Sequence, residues 1–547
     1  MIANRIARHR RGLAATAILA ALLITAPCSF AATPADTLVI AWAIDDIITL
    51  DPGEAFEITT GEITGNTYSR LIALDLDDTS KVKPDIAASW TVSDDGLTYT
   101  FKIKPNLKFA SGNPITAEDV AFSFERAVKL NKSPAFILQQ FGFTGDNVAE
   151  KAKATDSATF RFVVDKPYAP SFVLNCLTAT VASVVDKKVV MEHVAKAAPT
   201  AEYKFDNDFG NGWLKTRYAG SGPFTARDWR ANEILVMERN PNYFGEKAKL
   251  ACVIYRHMPE SGAERLALET GDIDIARKLQ PGDLVSVASK ADIKTTATPK
   301  GTVYYFSLNQ KNPNLAKPEV REAIKYLVDY DAIGATLIKG IGEIHQSFLP
   351  SGMLGSIDAE PYKLDVAKAK ELLAKVGLKD GFSVTMDVRS VQPVTSIAEN
   401  IQQTFGQAGI KLELIPGDGK QTLTKYRARN HDIYIGEWGT DYWDPHSNAE
   451  IFATNVDNSD NTKSKTLSWR NTWDRPDLTK EAQAALLERG TAKRKEIYEG
   501  LQKKVLQEGP FVIMYQQVEA AGYRANVQGY KLGPTFDSNY LDMVSKK

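Results

Sequence analysis

The chain has 547 residues, with 66 Lys+Arg against 67 Asp+Glu, 44% hydrophobic residues and 3 Cys. These figures describe a globular protein of several domain equivalents and exclude a disordered chain, a disulfide-stapled mini-domain and a low-complexity polymer. A formal charge of −1 also excludes a dedicated polyanion binder, so no nucleic-acid partner is expected.

The first thirty residues have the three parts of an export signal. A basic stretch, Arg5 to Arg11, precedes an apolar run, Leu13 to Ala26, and small residues follow at Ala31 and Ala32. The run is shorter than the ~20 residues a bilayer-crossing helix needs, which predicts a signal peptide over residues 1–31, cleaved near Ala31/Ala32. Arg10 and Arg11 leave the general secretory and twin-arginine routes both open. Without this segment, which holds four arginines and no acid, 62 basic residues face 67 acidic ones, so the exported protein is mildly acidic. Cys176 and Cys252 remain in different contexts and are expected as two buried thiols.

Strands and helices alternate through both halves. LVIAW (Leu38 to Trp42) reads as an apolar strand. LTYTFKIK (Leu97 to Lys104) alternates strictly and predicts a half-buried strand opened by a turn at Asp94-Asp95-Gly96. Thr116 begins a helix with Glu118 and Asp119 in its first turn and Val120, Phe124 and Val128 on one stripe. Pro318 opens a helix striped by Val320, Ile324 and Leu327. Asp365 caps another that ends at Gly377, and Ile397, Ile401 and Phe405 mark a third ending near Gly409. A charged helical region runs from Leu478 to about Gln507, interrupted near Gly490, with its charges read as a solvated face. VYYFSLN (Val303 to Asn309) and FVIMYQQ (Phe511 to Gln517) are the candidate crossovers between lobes. The predicted class is α/β with more than one lobe.

Catalytic signatures are missing. No G-x-S-x-G, H-E-x-x-H, phosphate loop, G-x-G-x-x-G or C-x-x-C occurs, and none of His193, His257, His345, His431 and His446 lies four residues from another. This lowers the expectation of an enzyme, and neither a metal nor another cofactor is expected.

Six segments in order carry a resemblance: Pro84 to Val128, Gly220 to Gly245, Arg265 to Ala276, Val320 to Pro350, Asp365 to Leu378 and Asp432 to Pro445. Together they cover nearly the whole chain after the signal, and the sequence resembles the peptide-type extracytoplasmic solute-binding proteins of ABC importers. The resemblance implies a two-lobed periplasmic-binding-protein-like α/β fold with an extra subdomain in the first lobe. Residues 32–302 would form lobe I, with 67–203 as the inserted subdomain and 526–547 completing it; residues 303–525 would form lobe II. It further implies a periplasmic monomer that captures a short peptide, or a similar small zwitterionic or cationic solute, by lobe closure. The partners would be a permease and ATPase complex at the inner membrane.

WGTDYWDP (Trp438 to Pro445) follows a buried strand, Ile433 to Ile435, so its polar residues should emerge at a strand end, where open α/β sheets place ligands. By the resemblance, Asp441 accepts the ligand α-ammonium and Trp438 lines the pocket. Tyr442 and Trp443 are candidates for stacking on the ligand, with one of them packing inward, and Asp444 shapes the turn. Arg389 lies where dipeptide-binding relatives hold the ligand carboxylate, a task suited to bidentate geometry. Trp42 to Asp46, at the end of the first strand, is the expected contribution of the opposite lobe. The loop from Lys204 to Phe224 is longer than in dipeptide binders and stands to reshape the cleft. The rival reading is a secreted hydrolase of peptides or glycosides drawing a carboxylate pair from Glu437, Asp441 and Asp444; a chaperone or sensor using the same cleft is a third.

Overall fold

The computed structural model describes residues 33–200, 203–462 and 464–547; the export signal lies outside them. An 11-stranded sheet runs through the molecule. Its first-lobe part begins with the antiparallel strands Phe224–Arg230, Ile234–Arg239 and Cys252–His257. Thr37–Trp42 then lies parallel between Cys252–His257 and the short strand Ile275–Ala276. Leu38, Ile40 and Ala41 are fully buried because this strand is covered on both faces, as expected of an apolar run flanked by parallel neighbours.

Two long antiparallel strands, Ile293–Leu308 and Phe511–Arg524, carry the sheet from one lobe into the other. Their register shifts between Pro299 and Val303 and again between Tyr304 and Tyr305. Bulges of this kind bend a strand and increase its twist. Beyond the bend, Ile433–Gly439 pairs antiparallel with the first crossover strand, and Ser383–Arg389 and Lys411–Gly417 continue in parallel. The sequence reading captured only the apolar ends of the crossovers.

Helices cover the second-lobe sheet where their stripes require. Val320, Ile324 and Leu327 are fully buried in one cluster with Ile397, Ile401 and Phe405. Asp365 caps Val366–Lys375 by accepting from Lys368 N, and Gly377 leaves that helix at φ 78°. The charged region is two helices, Pro476–Leu487 and Thr491–Glu508, separated at Gly490.

Between the strand Thr37–Trp42 and the segment entering Phe224–Arg230 lies a second sheet of four antiparallel strands in the order Ala87–Val92, Thr98–Ile103, Thr159–Val163, Ala152–Asp156. Tyr99, Phe101, Phe160 and Phe162 fill its buried face, packed by the helix Ala117–Leu130. Thr116 N and Oγ1 both donate to Asp119 Oδ2, at 2.9 and 2.7 Å, closing the first turn of that helix. Cys176 is buried in the same cluster, while Cys252 is half-buried on its strand; the two thiols are free.

Candidate ligand-binding cleft

The ends of four strands converge on one cavity of about 380 Å³. Trp42 ends the first strand, Arg277 and Lys278 follow Ile275–Ala276, Gln392 and Pro393 follow Ser383–Arg389, and Thr440 and Asp441 follow Ile433–Gly439. The bend of the crossovers forms the floor through Lys300, Gly301, Tyr304 and Tyr515, and Phe536 closes one side from the C-terminal segment. Both lobes therefore contribute to the wall, and the volume falls in the range of about 300 to 1,000 Å³ usual for small-ligand sites.

Asp441 stands on the second-lobe wall. The backbone leading into it is fixed: Asp441 N donates to Ser447 Oγ at 3.1 Å, and Thr440 N donates to the Gly301 carbonyl at 2.9 Å. The carboxylate itself has no hydrogen bond or ion pair among the described residues. Burial, with a smaller contribution from nearby Glu450, pushes it up to about 7. Behind it lies a chamber with room for about 20 Å³, walled by Arg70, Tyr442, Trp443, Asp537 and Tyr540 among others. An unpaired acid held this way lacks only a cation to stabilise its charge.

The other charges of the wall are satisfied within the protein. Arg277, stacked on Trp42 with 4.3 Å between guanidinium and ring centre, donates to Glu62 Oε1 at 2.8 Å and through Nε to Glu519 Oε1 at 2.9 Å. Lys300 Nζ lies 2.8 Å from Glu519 Oε2 and donates to the Gly533 carbonyl at 2.6 Å and Asn539 Oδ1 at 3.0 Å. These two cations hold the Glu519 carboxyl well below the usual range despite its burial. Lys278 is different: it lines the cavity, is exposed and makes no ion pair among the described residues.

The remaining sequence-predicted residues are placed apart from the cavity. Trp438 points to the other face of its strand and packs on the cluster of Tyr426, Trp443 and Tyr498, because residues alternate across a strand. Tyr442 is buried against Phe172 of the inserted segment, ring centres 5.8 Å apart, and borders only the small chamber. Its neighbour Trp443 lines the cavity instead, with an indole N–H that has no partner among the described residues. Arg389 is exposed at its strand end beside Gly419, outside the cavity wall. Asp46 is exposed, and its Oδ2 accepts from Thr59 N at 3.3 Å, at the start of the helix Ile58–Thr67. Of the six, Asp441 and Trp42 reach the cavity.

The carboxylates of the hydrolase reading are separated in role. Glu437 is exposed and lies beside the Tyr304 hydroxyl. Asp444 is fully buried, accepts from His446 N and takes both Arg494 guanidinium nitrogens at 2.7 Å. Among the three, Asp441 alone is on the cavity wall. Among the cavity residues that sequence reading missed are Arg277, Lys278, Lys300, Glu519 and Phe536. Arg277 and Lys278 directly follow the matched Arg265 to Ala276 segment, so the strand-end argument applied to Asp441 would have found them.

Residues 81–460 match the model of the bacterial extracellular solute-binding proteins, family 5. The chain belongs to this family. It is 30% identical over 536 residues to the probable D,D-dipeptide-binding periplasmic protein DdpA of Escherichia coli K12, covering 97% of this chain and 98% of that one. It is 23% identical over 542 residues to the glutathione-binding protein GsiB of the same strain, covering 98% of each. The periplasmic binding protein DppA of Helicobacter pylori, ABC transporter-associated and solved with the peptide STSA, matches with a TM-score of 0.75 at 23% identity over 93% of this chain and 98% of that one. That likeness carries the fold, which is the two-lobed α/β architecture. The two curated relatives are named as binding proteins, for a D,D-dipeptide and for glutathione.

Proposed function

We propose that this protein is the periplasmic receptor of an ABC importer and that it captures short peptides, or a similar small zwitterionic solute, in the cleft between its lobes. The observation that carries this reading is Asp441: a half-buried carboxylate, without a hydrogen bond or ion pair among the described residues, on the wall of a cavity built by both lobes. A ligand α-ammonium would supply the missing cation in a charge-assisted hydrogen bond. The D,D-dipeptide in the name of the 30% identical relative makes D-alanyl-D-alanine, a simple member of that class, the first probe, with its enantiomer L-alanyl-L-alanine beside it. The protein would be exported with its signal removed near Ala31/Ala32, act as a monomer, and present its closed form to the permease. Lobe I would span residues 32–302 with 526–547, and lobe II residues 303–525.

The test is calorimetric titration of both dipeptides into the wild type and Asp441→Asn, with the mixture analysed for free alanine. The reading expects one ligand per protein, no hydrolysis, and a loss of about 1.5 to 3 kcal/mol in the variant, the worth of a hydrogen bond to a charged group. Equal affinity in the two proteins removes Asp441 as the ammonium site. Release of alanine by protein free of contaminating peptidase would instead establish the hydrolase.

A further inference from the structure

Among the described residues, five charged side chains line the cavity: Arg277, Lys278, Lys300, Asp441 and Glu519. Arg277, Lys300 and Glu519 neutralise one another, with Glu62 completing the set. One unpaired charge of each sign is left. The negative one, Asp441, follows a second-lobe strand, and the positive one, Lys278, follows the first-lobe strand Ile275–Ala276.

Lys278 is held in place by its backbone, and its tip has no hydrogen bond or ion pair among the described residues. Its N–H donates to Glu264 Oε2 at 2.8 Å, and the preceding Arg277 is clamped between Trp42 and two carboxylates. Of two adjacent cations, one is thus spent on the scaffold while the other lines the cavity, exposed and with no ion pair among the described residues. Arg389, the residue that sequence resemblance offered for an anionic group, is outside that wall.

We propose that Lys278 holds the anionic end of the ligand, so that a zwitterion bridges the cleft with its ammonium on lobe II at Asp441 and its carboxylate on lobe I at Lys278. This rests on the peptide reading above and sharpens it. A ligand with both charges engages both lobes at once, which favours the closed form. An analogue whose carboxylate is replaced by a neutral amide offers Lys278 no ion pair, so the residue favours the free acid over it.

The experiment titrates D-alanyl-D-alanine and its C-terminal amide into the wild type, Lys278→Gln and Lys278→Arg. The wild type and Lys278→Arg should prefer the free acid by about fivefold, the scale of a solvent-exposed ion pair. Lys278→Gln should lose that preference by weakening for the acid while binding the amide no worse than the wild type does. An unchanged acid-over-amide preference in Lys278→Gln overturns the assignment and leaves the peptide reading standing. Failure of the wild type to bind either probe overturns the dipeptide reading and the assignment with it.

Discussion

Glu437, Asp441 and Asp444 fall within eight residues and meet three different environments. Asp444 and Arg494 are each about 1% exposed and form a bidentate pair. Removing one partner of such a pair strands a buried charge and typically costs about 3 to 5 kcal/mol. Arg494→Met should therefore lower the unfolding free energy by that order in urea denaturation, whereas Arg389→Ala, at an exposed strand end, should change neither stability nor dipeptide affinity measurably. Asp441 pays for its site in the opposite sense. Its folded-state carboxyl, at about 7, lies above the usual value for Asp in an unfolded chain, so its contribution to stability is present below about pH 4 and is lost as pH rises through 7. At pH 8 unliganded Asp441→Asn should consequently unfold at no lower temperature than the wild type, by differential scanning calorimetry. The sequence made Asp441 visible because it follows an apolar strand, and it misled on Trp438 and Tyr442 because aromatic residues beside a cleft are equally good core material.

The elements with apolar stripes were legible, and the helix Ile58–Thr67 was not. Its sequence, ITTGEITGNT, has almost no stripe because its buried face is made of Thr, Gly, Glu62 and Asn66. The two glycines let the C-terminal segment approach: a Cβ at Gly61 would sit 2.3 Å from the Phe536 ring, and one at Gly65 would sit 2.1 Å from the Asp537 carbonyl. Phe536 is a cavity wall, so Gly61→Ala should push its ring toward the ligand and weaken dipeptide binding in calorimetry. Gly65→Ala meets backbone instead and should destabilise the fold in urea denaturation. The crossover strands were half legible for a related reason. Their apolar ends alternate clearly, but Pro299, Lys300 and Gly301 interrupt the pattern at the bend, and Glu519 on the partner strand is buried only because Arg277 and Lys300 face it. Pairing that depends on residues more than two hundred positions away leaves no local pattern.

At the scale of the whole molecule, the two lobes share one sheet but divide the ligand's proposed contacts between them. The inserted segment also touches the second lobe directly: Ala169 N donates to the Leu486 carbonyl at 3.0 Å, Arg494 Nη1 to Ser171 Oγ at 3.2 Å, and Phe172 packs edge-on against Tyr442 and His446. Closure would bring the walls together about the bend at Pro299 to Tyr305. Small-angle scattering should then give a smaller radius of gyration with saturating D-alanyl-D-alanine than without it, and no change on adding free alanine. Asp441 is the link between this motion and ligand charge. The groups around it are Glu450 on the following helix, Pro445–Ala453, and, across the small chamber, the paired Arg70 and Asp537 with Tyr540. His446, the nearest histidine in sequence, is held down to about 4 by burial. The ionised form of Asp441 binds an ammonium, so affinity should rise with pH through 7. The most direct measurement is the affinity for D-alanyl-D-alanine between pH 5.5 and 7.5 in the wild type and Asp441→Asn. The wild type should weaken by up to about tenfold per pH unit below 7, and the variant should bind weakly with a flat profile; a flat wild-type profile, or a variant that keeps the wild-type slope, would contradict the account.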